Sequence, residues 1–259
     1  MTERPVTLIT GASSGIGAAL AWCAAGAGHD LILTARRGDL LATLAEALTA
    51  RHGGRVLTIA ADLAEPDGAD QLVNEILASG WHVDQLINNA GLGASGPLAE
   101  MPPAQLTGLL QVNLVSLTTL TRLLLPSMLA RGHGGVLNVA SLAAFQPGPL
   151  MAAYYASKAY GLSFSEALHE ETRGTGVRIS CLCPGATSTG FAREAQMEQS
   201  RLFRQGTATA ESVARAAWRG FQRGQRVILP GWKTKLTALL SHWTPHLLSL
   251  RLVRALHGG

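Results

Sequence analysis

All three tyrosines of this 259-residue chain, and one of its three lysines, fall within the stretch MAAYYASKAYG at residues 151 to 161. Tyr154 and Lys158 are four apart, so on a helix they share a face. By the same spacing Tyr155 meets Ala159 and Tyr160 meets Phe164, which leaves Tyr154 as the tyrosine with a cation one turn along. An ammonium about 4 Å from a phenolate at an effective dielectric near 20 is worth roughly 4 kcal/mol. One pKa unit is about 1.4 kcal/mol, so the spacing predicts a phenol lowered by up to about 3 units and able to trade protons near neutral pH. Thirteen residues upstream, VLNVAS ends at Ser141, whose hydroxyl can hold a carbonyl or alcohol oxygen. Asn113, in LLQVNLVSL, is an amide on a nearly all-apolar helical face, which suits a residue that binds something.

A second set of residues suits a phosphate. TGASSGIG, Thr10 to Gly17, follows the first apolar run directly, with Gly11, Gly15 and Gly17. Glycines there permit a sharp turn and let backbone N–H groups approach a pyrophosphate at the positive end of the next helix. About 20 residues on, where an acid would hold the ribose hydroxyls of NAD, the chain reads LTARRGD. Arg36 and Arg37 can instead pair with a 2′-phosphate, which predicts NADP over NAD. Asp39 is the competing carboxylate, expected to begin the next helix as a solvated first-turn acid. Asp62, ending the third run in AADL, is a candidate partner for adenine, with a helix N-cap as its plainer reading.

The elements that must position these groups are legible as alternating patterns. VTLIT, DLILTA, RVLTIA, DQLIN, GGVLNVAS, VRISCLCP and RVILP are seven nearly apolar, β-branched runs. Helical patterns intervene near 15–28, 38–52, 66–80, 104–131, 152–173 and 210–223. Apolar runs of this kind indicate strands covered on both faces, so the expected fold is α/β, one doubly wound Rossmann-type domain with a parallel seven-stranded sheet. Apolar residues at 47% with 15% charged ones imply a well-buried core, and no repeat or Pro/Ser-rich linker divides the chain. We expect one unit over 1–231 that binds dinucleotide and carries the catalysis, with 232–259 as a basic amphipathic helical extension of it. The loops at 91–103 and 184–208 follow strands, where a substrate should sit, and the second has the mixed character of a lid.

Taken together, TGASSGIG, Asp62, NNAG (Asn88 to Gly91), Asn113, Ser141, the Y-x-x-x-K of Tyr154 and Lys158, and PGATST at 184–189 resemble the short-chain dehydrogenase/reductase family over about residues 5–230. The resemblance implies hydride transfer between a nicotinamide C4 and a carbonyl carbon, with Tyr154 as general acid in reduction. It implies that Lys158 lowers the tyrosine's pKa and holds the nicotinamide ribose, Ser141 steadies the substrate oxygen, and Asn113 supports a water relay through the lysine. It also implies cofactor contacts from Gly11, Ser13, Ser14, Gly15, Ile16 and Gly17 in the glycine loop. Further contacts would come from Leu63 beside Asp62, from Asn89, Ala90 and Gly91, and from Tyr154 and Lys158. Thr187, Thr189 and the backbone at Pro184 and Gly185 complete the set. Many NADP-using members carry a basic residue where Ser14 stands, so Arg36 is expected to supply most of the phosphate contact.

The expected function is an NADP-dependent carbonyl reductase or alcohol dehydrogenase for a small-to-medium apolar substrate. Its pocket is expected among Leu92, Gly93, the loop at 142–150, Tyr155 and a lid at 188–205. The alternative is a non-catalytic NADP(H)-sensing regulator of the same fold, which would not need the proton relay. A sugar-nucleotide epimerase or dehydratase would need a longer substrate domain than the sequence provides. Cys23, Cys181 and Cys183 lack metal or C-x-x-C spacing, which favours reduced thiols. His242 and His246 are four apart, but Pro245 between them spoils a metal-binding helix, so no metal is expected. The N-terminus has no basic head before an apolar run, so a cytoplasmic protein is expected.

After Glu211 no acidic residue follows, whereas eight basic ones do. Leu236, Leu239, Leu240 and Trp243 recur at helical spacing, and after Pro245 so do Leu247, Leu248, Leu250, Leu252, Val253 and Leu256. The segment is too interrupted and charged to span a bilayer. It reads as a wall over the substrate cleft, as the face of a homodimer or homotetramer, or as an interfacial membrane helix. The first two together outweigh the third, and nucleic acid is not expected.

Overall fold

The computed structural model describes residues 4–191, 207–244 and 246–257. Seven strands form one parallel sheet: β1 (Val6–Thr10), β2 (Asp30–Ala35), β3 (Val56–Ala60), β4 (Gln85–Asn88), β5 (Gly134–Val139), β6 (Val177–Leu182) and β9 (Val227–Ile228). Their spatial order is β3-β2-β1-β4-β5-β6-β9, and the two-residue strands β7 (Thr187–Ser188) and β8 (Ala208–Thr209) pair apart from it. The helices are α1 (Gly15–Gly26), α2 (Gly38–His52), α3 (Gly68–Ala78), α4 (Pro103–Leu110), α5 (Leu117–Arg131), α6 (Ala152–Glu171), α7 (Ala210–Gln222), α8 (Trp232–Trp243) and α9 (His246–His257). Each of the seven apolar runs supplies one strand of the main sheet.

The strands read as apolar because both faces are covered. On one side Leu20, Leu41 and Phe221 bring α1, α2 and α7 onto the sheet. On the other, Leu72, Ile76, Leu120 and Met128 seal α3 and α5 against it. Fully burying one such side chain stabilises by about 1.5–3 kcal/mol. The strand order reverses at β1, whose neighbours are β2 and β4. The loops leaving β1 and β4 therefore part company and open a crevice at the carboxyl end of the sheet.

A buried amide ladder fixes α6, and hence Tyr154 and Lys158, on this frame. Asn88 on β4 donates to Asn138 on β5 at 2.9 Å, and Asn138 donates to Ser165 on α6 at 2.9 Å. Asn88 also donates to Thr121 on α5 at 3.0 Å, so one chain of polar groups ties two strands to two helices.

Two departures from the sequence patterns bear on the site. The single helix expected over 104–131 is interrupted by a π segment, Gln111–Ser116, between α4 and α5. The lid expected at 188–205 lies, from residue 192 on, outside the described residues.

Candidate active site

Strand β5 ends beside the crevice, and three of the predicted groups gather there. Lys158 donates from Nζ to the carbonyl of Val139 at 3.0 Å, and the same Nζ lies 5.8 Å from the centroid of the Tyr154 ring. Ser141 heads the short 3-10 turn Leu142–Phe145, and its hydroxyl oxygen accepts from the Ala143 N–H at 3.1 Å. Ser141 is also hydrogen-bonded to Tyr154. Tyr154 and Lys158 are both buried on the inner face of α6. The helix begins just after Leu150, the one non-glycine residue with positive φ (66°) among the described residues. That strained backbone sits immediately before the catalytic helix.

The electrostatics correct the expected direction for Tyr154. Burial pushes the phenol up to about 12, the hydrogen bond from Ser141 pulling the other way more weakly. Lys158 is itself pushed down to about 8 by burial. Desolvation, which spacing cannot report, outweighs the attraction counted from the pair alone. The result keeps Tyr154 protonated at neutral pH, the form that can donate a proton. Tyr155, also buried, is raised further by the same cause.

Burying the Lys158 charge has a stability cost. Its folded pKa lies below the 10.5 of an unfolded lysine, so the penalty is fully present below pH 8 and fades as pH rises from about 8 to 10.5. Lys158→Met should therefore raise unfolding stability at pH 7 by on the order of 1–3 kcal/mol. Urea denaturation at pH 7 and near pH 10 checks this, since equal gains at both would remove the cause.

Asn113 lies in the π segment, and its amide is fully engaged as a donor. Nδ2 donates to the Leu92 carbonyl and to Ser157 Oγ, each at 2.9 Å, while Oδ1 accepts from the Leu92 N–H at 2.8 Å. The side chain thus clamps the loop after β4 to α6. A Cβ built on Gly91 would lie 3.2 Å from Lys158 Nζ and 3.4 Å from Asn113 Oδ1. Those two atoms therefore both lie against Gly91, where a larger residue would crowd them.

The glycine loop is built around Asn89. Its Nδ2 donates to the carbonyls of Thr10 and Gly11 at 2.9 and 3.1 Å. A Cβ on Gly17 would come within 2.4 Å of both Asn89 Nδ2 and the Gly11 carbonyl, and Gly11 has φ +64°. Ser14 leads into α1 with no capping bond from its side chain, and no acid occupies the first turn. The N–H groups of that turn are left for an anion.

Gly11, Ser13, Ser14, Gly15 and Ile16 line the crevice, as do Asp62, Leu63, Ala90 and Gly91; Gly17 packs beneath. Pro184, Gly185, Thr187 and Thr189 close its far side. Arg36 and Arg37 are exposed at its rim. Arg37, rather than Arg36, is held over the loop, donating to Ser13 and Ser14 at 3.1 and 3.2 Å. Asp62 uses one carboxylate oxygen to accept from the Ala64 N–H at 2.9 Å, a local turn rather than a helix cap. The loop N–H groups and the two arginines fit a dinucleotide phosphate.

The substrate end combines expected and unforeseen groups. Leu92, Leu142, Gln146 and Tyr155 line it, while Gly93 stays outside that lining. Phe191 lies 5.6 Å from the Tyr154 ring, centroid to centroid. Val253 of α9 is buried in the same apolar cluster as Tyr154, Tyr155 and Met151. Periodicity shows Val253 to be apolar, but nothing local says that a residue almost a hundred positions away packs beside Tyr154. Cys181 and Cys183 are free thiols, buried, with sulfurs 3.7 Å apart.

A doubly wound sheet with an anion-ready loop at its switch point and, beside it, buried Tyr154 and Lys158 with a half-buried Ser141 is an arrangement suited to a dinucleotide-dependent oxidoreductase of the α/β class. A protein-family model described as short chain dehydrogenase matches residues 5–200. The chain belongs to the short-chain dehydrogenase/reductase family, whose members are NAD(P)-dependent oxidoreductases. It is 38% identical over 189 residues to a short chain dehydrogenase of Pseudocercospora fijiensis, a match covering 72% of this chain and 61% of that protein. Among solved structures it is similar to a short-chain dehydrogenase from Sphingobium yanoikuyae in complex with NADPH. That match has TM-score 0.82 and 32% identity and covers 91% of this chain and 92% of the other. A Burkholderia phymatum short chain dehydrogenase/reductase in complex with NAD matches with TM-score 0.83 and 29% identity, covering 93% and 94%.

Proposed function

We propose that the protein is an NADP-dependent oxidoreductase that moves hydride between a nicotinamide and the carbonyl or secondary-alcohol carbon of a small-to-medium apolar substrate. The observation that carries this reading is the buried Tyr154, hydrogen-bonded to Ser141 and kept protonated, in a crevice that is also lined by two adjacent arginines, Arg36 and Arg37. NADP(H) would be held by the glycine loop, Arg36 and Arg37, and when bound it supplies or accepts the hydride. In the reducing direction the Tyr154 hydroxyl gives its proton to the carbonyl oxygen while Ser141 holds that oxygen in line. Lys158 stands behind with its charge, and it shares the surroundings of Gly91 with Asn113, where a relay returning the proton would run. Phe191, Leu142 and Tyr155 supply an apolar wall, which favours apolar ketones and aldehydes.

Similar structures hold either NADPH or NAD, so the arginines rather than the family carry the preference for NADP. Against the sensing alternative, a sensor would not need Tyr154, Ser141, Lys158 and Asn113 together. We further propose a cytoplasmic homodimer or homotetramer.

The direct test is NADPH consumption by the purified protein across ketones, aldehydes, quinones and steroids. Turnover of at least one apolar carbonyl is expected. Tight NADPH binding with no turnover across the panel would favour a sensor instead.

A further inference from the structure

We propose that the C-terminal helices dock the protein on the surface of an anionic lipid bilayer, with α8 lying in the interface. The sequence weighs this segment toward a cleft wall or an oligomer face, and the structure divides the roles between its sides. The inner side of α8 is committed to the cleft rim. Ala238 is buried, Ser241 donates to Gln146 at 3.2 Å, and the Thr234 hydroxyl lies near Gly185. From α9, Val253 reaches the cluster around Tyr154.

The outer side of α8 carries a different set. Trp232, Leu236, Leu239 and Leu240 follow the i, i+4, i+7, i+8 spacing of one helical face, and all four are exposed, Trp232 at 70% and Leu239 at 58%. At 100° per residue this stripe lies opposite Ala238, and Lys233 and Lys235 fall on its two flanks. Arg251 and Arg254 are exposed on α9 beside exposed Leu252. An apolar stripe edged by cations, with a tryptophan at one end, is the pattern of a helix lying in a membrane interface.

Charge decides which occupant the face takes. Neither helix contains an acidic residue, and none occurs anywhere after Glu211. A two-fold dimer through this face would set Lys233 and Lys235 against their own copies with nothing to offset them. A lipid surface bearing negative headgroups offsets each of them. Twelve-residue helices are too short to cross the hydrocarbon, so the contact is peripheral.

The test is co-sedimentation of the full chain with vesicles of phosphatidylcholine alone and of phosphatidylcholine with one quarter phosphatidylserine. Phosphatidylserine should raise the bound fraction's partition coefficient at least about tenfold, and high salt should reverse the gain. The double variant Leu236→Glu, Leu239→Glu should lose that binding while keeping NADPH turnover with a soluble ketone. Leu77→Glu, an equally exposed leucine on α3, should bind as the unchanged protein does. Retained turnover in the double variant separates lost docking from lost folding, and binding is read whether or not a substrate is known. Absence of sedimentation with either vesicle, or binding indifferent to phosphatidylserine, overturns the proposal. So does light scattering that shows a dimer dissolved by the double variant with no vesicle binding, since the face would then belong to a second copy.

Discussion

Tyr154→Phe is expected to cut carbonyl-dependent NADPH oxidation at least about a hundredfold, the range a positioned general acid supplies. The substitution removes one oxygen and little else. The ring remains to pack on Phe191 and Tyr155, and Lys158 keeps its bond to the Val139 carbonyl. NADPH affinity, read by fluorescence titration, should stay nearly intact. The loss should therefore appear in kcat, as removal of an interaction made in the transition state requires. Near-normal turnover in this variant would mean that another group delivers the proton.

The second large effect concerns the cofactor. Arg36→Ala combined with Arg37→Ala should raise the KM for NADPH by at least about tenfold, because charge-assisted hydrogen bonds are worth roughly 1.5–3 kcal/mol each. NADH, which has no 2′-phosphate, should be affected far less. The single variants should differ, with Arg37→Ala the more damaging, since Ser13 and Ser14 already hold that guanidinium over the glycine loop. Equal losses for NADPH and NADH would count against phosphate recognition.

The parallel sheet was legible because a strand buried on both faces has no polar side to disguise it. VTLIT and DLILTA can hardly be anything else beside a glycine loop. Tyr154 and Lys158 were legible because a helix converts a spacing of four into a shared face. The pKa of Tyr154 was not, because its direction depends on how much water the fold removes, and that is a property of packing. Burial raises the phenol and lowers the amine at once, so the direction of each follows packing rather than the spacing of the pair.

The π segment holding Asn113 was hidden for a related reason. One extra residue in a turn leaves the apolar spacing on either side almost unchanged, so 104–131 reads as continuous helix. Only the odd amide within it pointed to something other than packing. Arg37 was found by composition but not by role. Two adjacent arginines are equivalent until the turn from β2 into α2 decides which of them faces Ser13 and Ser14. Val253 and the exposed stripe of α8 show the same limit, because periodicity marks both helices as amphipathic without saying what each side meets.

The measurement that tests the central claim most directly is a crystal structure with NADPH and a carbonyl-containing inhibitor bound. The Tyr154 hydroxyl and the Ser141 hydroxyl should both lie within hydrogen-bond reach, about 3 Å, of the inhibitor's oxygen, with the nicotinamide C4 facing the carbonyl carbon. A Tyr154 hydroxyl turned toward the core or toward solvent, with some other donor on that oxygen, would contradict the account.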